Sequence, residues 1–160
     1  KGHSGGVNSI AYAPSGLALI SGGADGVLNV WNIAGGNITK SIKAHKEPVR
    51  CVAISMDGGS AATASLDGTV KLWRLSDGAL LNTFKAHAGG ARSAAFSPDG
   101  RYLATGGLDG TVKLWSMAGK TPLKVYIGHA DSVETLAFTP DGTLLASGSK
   151  DATVKLWNLP

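Results

Sequence analysis

The sequence predicts an all-β fold, a radial array of four small four-stranded antiparallel units. Three observations predict it. The chain repeats itself: Trp31, Trp73, Trp115 and Trp157 are its only tryptophans and stand 42 residues apart. His3, His45, His87 and His129 keep the same step, as do Asp25, Asp67, Asp109 and Asp151, with no insertion or deletion between them. A fixed period of roughly 40–45 residues belongs to arrays in which one repeat cannot bury its own faces. Each period is also made of short apolar, aromatic and β-branched runs divided by turn residues. Finally, no stretch has helical periodicity over a useful length.

The elements follow in order within one period. "ARSAAFS" (91–97) reads as a first strand, and Ser97-Pro98-Asp99-Gly100 as a tight turn. Pro presets φ there and Gly accepts the left-handed position after it. The turn recurs at Ala13-Pro14-Ser15-Gly16 and Thr139-Pro140-Asp141-Gly142, and with Met56 for Pro at Ser55-Met56-Asp57-Gly58. "RYLATGG" (101–107) is a second strand, closed by Asp109-Gly110, a strong hairpin signal matched at Asp25-Gly26 and Asp67-Gly68. Only Asp151-Ala152 departs from it. "TVKLWSM" (111–117) is a third strand, in which Lys113 and Trp115 share one face and Val112 and Leu114 the other. "TPLKVYI" (121–127) is a fourth. The octet LDGTVKLW, present at 66–73 and at 108–115, is thus a turn with the strand that leaves it. The repeats run 1–42, 43–84, 85–126 and 127–160 as a single array. The outer strand of the last is absent, leaving 15 strands of an expected 16, and a start at Lys1 reads as a trimmed or excised piece.

Composition narrows the function classes. A hydrophobic content of 43% with 16% charged residues fits a sheet-rich globular protein. There is no apolar run of membrane-spanning length and no signal peptide, so no membrane association is expected and the cytoplasm is the expected compartment. The lone Cys51 forbids an intrachain disulfide. A net charge of +4 points weakly to acidic partners. That charge is spread over strand positions such as Lys71, Lys113 and Lys155, which read as solvated faces, and nucleic acid is not an expected partner.

Residues that invite a chemical reading have a structural one that is stronger. His3, Ser21 and Asp25 resemble a hydrolase triad in composition, but the chain lacks a Gly-x-Ser-x-Gly elbow, and one active site would not need fourfold repetition. The four His/Asp pairs fall in different repeats, and one Cys supplies no ligand cluster, so no metal is expected. Gly35-Gly36 and Gly89-Gly90 lack the strand-to-helix setting of a phosphate loop. No cofactor and no enzymatic activity are expected.

With these residues in place, the pattern resembles the WD-repeat β-propeller family over the whole chain. The family's Gly-His stands at Gly2-His3 and Gly128-His129 and becomes Ala44-His45 and Ala86-His87 in the middle repeats. Its Trp-Asp pair keeps only Trp, as Trp31-Asn32, Trp73-Arg74, Trp115-Ser116 and Trp157-Asn158. The resemblance implies a buried hydrogen-bonded set of His, Ser or Thr, Asp and Trp in each blade. Here these are His3, Ser21, Asp25 and Trp31; His45, Thr63, Asp67 and Trp73; His87, Thr105, Asp109 and Trp115; and His129, Ser147, Asp151 and Trp157. In the second set Thr63 would accept the indole proton of Trp73 and donate to His45, whose other nitrogen would reach Asp67.

The resemblance also implies a partner face, the one bearing the His and Asp loops. Three position classes carry over: Asn8, Arg50, Arg92 and Glu134; Gly6, Pro48, Gly90 and Ser132; and Ala24, Leu66, Leu108 and Lys150. Two arginines beside two exposed leucines form a mix common at interaction hot spots. The leading expectation is a non-catalytic protein-interaction scaffold taking a protein or peptide, acidic or phosphorylated. The alternatives are a purely structural self-assembling unit without a ligand and a docking or sensory module of a larger enzyme. Four such blades make about half a ring of six to eight. A second copy turned by 180° would close an eight-bladed homodimer; if the chain is a fragment of a longer propeller, the missing blades would come from the same polypeptide or from another subunit.

Overall fold

The computed structural model describes residues 1–160 as fifteen β-strands without a helix. The first sheet contains β1 (Val7–Tyr12), β2 (Ala18–Gly23), β3 (Val27–Asn32) and β4 (Asn37–Lys43). The second contains β5 (Val49–Ile54), β6 (Ser60–Ser65), β7 (Thr69–Arg74) and β8 (Leu80–Lys85). The third contains β9 (Ala91–Phe96), β10 (Tyr102–Gly107), β11 (Thr111–Ser116) and β12 (Pro122–Ile127), and the fourth β13 (Val133–Phe138), β14 (Leu144–Ser149) and β15 (Val154–Asn158). Each sheet is an antiparallel meander in chain order. The first strands β1, β5, β9 and β13 are neighbours across sheets, so they line the inner edge of an open arc of blades.

The turns explain why the meanders form and how one blade positions the next. In the first turn of the third blade, Ser97 Oγ donates to Asp99 Oδ1 at 2.6 Å and accepts from Tyr102 N at 2.9 Å, closing the hairpin around Gly100. At the second turn Gly68 has φ 83°, and an added Cβ would lie 2.6 Å from the carbonyl oxygen of His87. Glycine is required there twice, for its left-handed backbone and for that close approach. The carbonyl of Gly68 accepts from the amides of Ala86 and His87, both at 3.0 Å. The turn of one blade therefore fixes the loop that enters the next. Where the sequence has Asp151-Ala152, the left-handed conformation persists without glycine, and Ala152 has φ 66°.

Strand alternation builds the core between blades. Val70 and Leu72 face the third blade, in a cluster with Ala91, Leu103 and Trp115, while Trp73 faces the first, against Ile20, Leu28 and Val30. A third cluster joins Val112 and Leu114 to Val133 and Leu145. Phe84 and Trp115 meet at 5.0 Å between ring centroids, and Tyr126 and Trp157 at 5.2 Å. Each large apolar side chain buried fully in this way contributes roughly 1.5–3 kcal/mol.

Two of the three lysines expected on solvated faces, Lys71 and Lys113, lie differently. Lys71 Nζ donates to the carbonyl of Ala44 at 2.6 Å and sits 5.9 Å from the Trp73 ring centroid. Lys113 Nζ bonds the carbonyl of Ala86 in the same way. Their stems cover the indole side of the third strand, and their ammonium groups tie down the loop before each histidine.

Candidate partner-binding face and the network beneath it

Four hydrogen-bonded chains support one end of the blades. In the second blade Trp73 Nε1 donates to Thr63 Oγ1 at 2.9 Å, Thr63 Oγ1 lies 2.7 Å from His45 Nε2, and His45 Nδ1 lies 2.9 Å from Asp67 Oδ2. Neutral imidazole carries one N–H, and the carboxylate can only accept. The proton is thus on Nδ1, and Nε2 accepts from the Thr63 hydroxyl. The third blade repeats this through Trp115, Thr105, His87 and Asp109 at 2.9, 2.8 and 2.9 Å. Ser21 joins Trp31 (2.8 Å) to His3 (2.7 Å), and His3 reaches Asp25 at 3.0 Å. Ser147 joins Trp157 (2.8 Å) to His129 (2.7 Å), and His129 reaches Asp151 at 2.8 Å.

The electrostatics of the chains follow from burial and from these bonds. Burial pushes the imidazoles of His45 and His87 below their ordinary value, against the opposing pull of Asp67 and Asp109. For Asp25 the same burial raises the carboxyl, but hydrogen bonds from His3 and from the amides of Ser4 and Val27 outweigh it and hold the group near a pKa of about 2. Asp67 and Asp109 are also lowered against burial, first by the hydroxyls of Thr69 and Thr111. Those bonds, at 2.6 and 2.8 Å, bring into the network two residues that sequence reasoning did not single out. Their recurrence two positions after three of the four Asp residues, with Thr153 as the third and Val27 in place of Thr after Asp25, was the available signal. In each blade the Ser or Thr hydroxyl is thus held between an indole and an imidazole, and the imidazole between that hydroxyl and a carboxylate.

Above this network the sheets depart from regular pairing. The first strand of each blade carries a β-bulge against the second: Val7 and Ser9 pair with adjacent residues of β2, as do Val49 and Cys51 with β6, Ala91 and Ser93 with β10, and Val133 and Thr135 with β14. The residues passed over are Asn8, Arg50, Arg92 and Glu134. A bulge frees a residue from the ladder and re-aims its side chain, and here it does so at equivalent places along the inner edge. Asn8 Nδ2 donates to the carbonyl of Val49 in the next blade at 2.8 Å. Glu134 stands 3.9 Å from Arg92 Nε and 4.0 Å from Lys150 Nζ.

The other two position classes are brought to the same end by backbone bonds. Leu66 N donates to Pro48 O at 3.1 Å, Leu108 N to Gly90 O at 3.0 Å, Lys150 N to Ser132 O at 3.0 Å and Ala24 N to Gly6 O at 2.8 Å. Leu108 is exposed, but Leu66 is only half-exposed. Both leucines close over Gly90, whose missing side chain makes room for them. Only three buried side-chain polar atoms lack a hydrogen-bond partner: Asn29 Oδ1, Arg50 Nε and Arg92 Nε. Two of the three belong to neighbouring bulges of this face.

With this geometry in view, the WD domain, G-beta repeat (WD40) family model matches residues 1–32, 36–74, 78–116 and 120–158. The chain belongs to the WD40 repeat family. Each matched WD40 segment after the first starts at or before the fourth strand of one sheet and ends with the third strand of the next, so sequence repeat and blade are one strand out of phase. Among solved structures the chain resembles that of U3-55K with a TM-score of 0.92 and 24% identity, over 100% of this chain and 51% of that one. That likeness is one of fold. Among curated proteins it is 43% identical over 47 residues to "Ribosome biogenesis protein erb1" of Neurospora crassa and 42% identical over 47 residues to its namesake in Chaetomium globosum. Those matches span 29% of this chain and 6% of each relative. No helix is long and apolar enough to cross a membrane, and no three His, Cys, Asp or Glu side chains gather as a metal site.

Proposed function

We propose that this array of WD40 blades is a non-catalytic interaction scaffold that takes an acidic or phosphorylated segment of a partner protein on the face bearing the His and Asp loops. One observation carries the reading: Arg50 and Arg92, on adjacent bulges, each hold a buried Nε–H without an acceptor. A buried donor left unpaired costs about 1–3 kcal/mol, a cost that is removed when the guanidinium turns its Nε–H edge toward an arriving carboxylate or phosphate. Planar guanidinium groups suit both anions through paired N–H···O bonds. Glu134 approaches Arg92 only at 3.9 Å, and no carboxylate is paired with Arg50. Arg50 is therefore the stronger anion anchor of the two. Leu66 and Leu108 supply apolar area beside the charges.

The test is an Arg50→Glu, Arg92→Glu double variant used as bait alongside the wild-type chain. The variant keeps its circular dichroism spectrum and loses the acidic or phosphorylated partners that the wild type retains. An unchanged partner list overturns the assignment. A second reading, self-assembly through the ends of the arc, is favoured by a different observation. Val7, Ile10 and Tyr12 of the first blade and Val154 and Leu156 of the last are between 55% and 74% exposed, although their counterparts in the other blades are packed between sheets.

A further inference from the structure

The outer strands differ at one set of positions where the repeats otherwise run closely alike. β4, β8 and β12 each end a four-stranded sheet, so one edge of each has no ladder partner. At equivalent positions β4 carries Thr39, Ser41 and Lys43, β8 carries Leu81, Thr83 and Lys85, and β12 carries Leu123, Val125 and Ile127. A lysine on a free edge is an ordinary guard against pairing with another chain. β12 has no polar residue in this set. Its three side chains are 55%, 43% and 79% exposed, and Ile127 is the most exposed large apolar residue of the chain. A missing neighbour does not produce this exposure. Val125 and Ile127 pair with Lys113 and Thr111, and Leu123 is the bulge residue opposite Trp115, so the strip shares a face with Trp115. That face is turned to the second blade, whose Phe84 packs on Trp115. The second blade is in place, and the strip still stands open to solvent at the outer rim.

The opposite face of β12 is basic. Lys124 is exposed and sits 4.8 Å from the Tyr126 ring centroid, and Lys120 is exposed in the turn before the strand. Neither is paired with a carboxylate, since the ion pairs of the chain are all made by other cations. An edge with one apolar face and one unpaired cationic face specifies what can lie along it. Its free N–H and C=O groups call for an extended backbone. Successive side chains of such a segment alternate between the two faces. Apolar residues would extend the strip of Leu123, Val125 and Ile127, and the residues between them would meet Lys124, where a carboxylate complements the charge. A second copy of β12 fits poorly. Setting the two apolar strips on one face also sets both Lys124 side chains on the other, and like charges on neighbouring strands destabilise the pair.

We propose that the free edge of β12 is a strand-addition site for a partner protein, taking an extended segment in which apolar and acidic residues alternate. The site is separate from the arginine face, because β12 is the outermost strand of its sheet while Arg50 and Arg92 stand on the inner strands β5 and β9. Ladder bonds hold the segment's backbone, and the alternation of its side chains selects it. Its register is limited at one end, where Pro122 has no N–H to offer and Leu123 interrupts the pairing. The segment therefore pairs along the regular stretch from Lys124 to Ile127. β4 and β8 do not substitute for β12, since Lys43 and Lys85 stand where Ile127 stands.

The experiment is an anisotropy titration of the 160-residue chain with a short labelled peptide of alternating valine and glutamate. Excess unlabelled oligoglutamate is kept in solution, so that any binding at the arginine face is competed away. The peptide binds the wild-type chain saturably, and a peptide of alternating valine and lysine binds about tenfold or more weakly. Only one alternate set of the peptide's amides faces the edge, so N-methylation of that set abolishes binding and N-methylation of the other does not. The triple variant Leu123→Thr, Val125→Ser, Ile127→Lys gives β12 the residues that β4 already carries. It keeps its circular dichroism spectrum and loses the peptide. No binding by the wild type, equal binding of both charge patterns, or binding kept by the folded triple variant overturns the proposal. So does binding kept by both methylated peptides, a result that needs no variant to fold. A wild type at twice the mass of one chain in light scattering, returned to single mass by the triple variant, overturns it in favour of a second copy at this edge.

Discussion

Replacing Thr63 by valine removes one hydroxyl from the centre of the second blade and keeps its shape. Thr63 is fully buried, with His45 and Trp73 only 2% and 6% exposed. The hydroxyl serves both neighbours, accepting from Trp73 Nε1 at 2.9 Å and donating to His45 Nε2 at 2.7 Å. Its loss strands an indole donor and an imidazole acceptor where water has little access. Each stranded group costs about 1–3 kcal/mol, so Thr63→Val is expected to destabilise by about 2–4 kcal/mol, with almost no contribution from packing. Thr105→Val removes the same two bonds in the third blade and should match it. Thr69→Val is the internal comparison. Its hydroxyl reaches Asp67 at 2.6 Å, but the residue is partly exposed and water replaces the bond, so the loss should stay near 1 kcal/mol. Urea unfolding followed by tryptophan fluorescence gives all three midpoints. A Thr63→Val midpoint within error of wild type, or one no lower than that of Thr69→Val, would refute the shared-hydroxyl account.

Lys71→Met keeps the stem over Trp73 and removes the bond to the Ala44 carbonyl, so it should cost about 0.5–1.5 kcal/mol; a urea midpoint equal to wild type would show that the lysine is solvated. Ala152→Gly relieves a left-handed backbone that costs a side-chain-bearing residue about 1–2 kcal/mol, less the entropy glycine loses on folding, for a net gain of about 0.5–1 kcal/mol read from thermal melts. A loss of stability there would contradict the strain. Acid should weaken the fold in two stages. His45 and His87 are held below 6.5 by burial, so the unfolded chain binds more protons, and their contribution is whole above about pH 6.5 and lost as pH falls below it. Asp25, near 2 in the fold against 3.8, adds a contribution present above about pH 4 and lost as pH falls toward 2. Melting temperatures that do not change between about pH 7.5 and pH 5 would contradict the histidine stage.

The sequence showed most about what repeats. A 42-residue step shared by His, Asp and Trp located the four networks, because buried polar groups must recur with the blade that satisfies them. The two hairpin turns announced themselves through Pro and Gly, whose backbone preferences are local. Long-range geometry was harder to see. Reading "TVKLW" by alternation put Lys71 on the Trp73 face correctly, but only the folded neighbour shows that its ammonium reaches the carbonyl of Ala44. The bulges left a trace that alternation alone obscures. Inward residues of the first strands are spaced by three, as in Val49 and Val52, where a regular strand spaces them by two. That slip marks Arg50 as the residue without a cross-strand partner. Thr69 and Thr111 escaped notice because threonine is an ordinary strand residue, and its bond to the preceding aspartate depends on the turn between them.

The claim that function resides in Arg50 and Arg92 is tested most directly by fluorescence-anisotropy titration of a labelled oligoglutamate peptide and a phosphoserine peptide. Binding to the wild-type chain should saturate and weaken as salt rises, since the contacts are partly screened. In the Arg50→Glu, Arg92→Glu variant, binding should fall at least tenfold, on the order of the 1.4 kcal/mol or more that losing a charge-assisted pair removes. Equal titration curves for wild type and variant, or binding indifferent to salt, would contradict the assignment of this face.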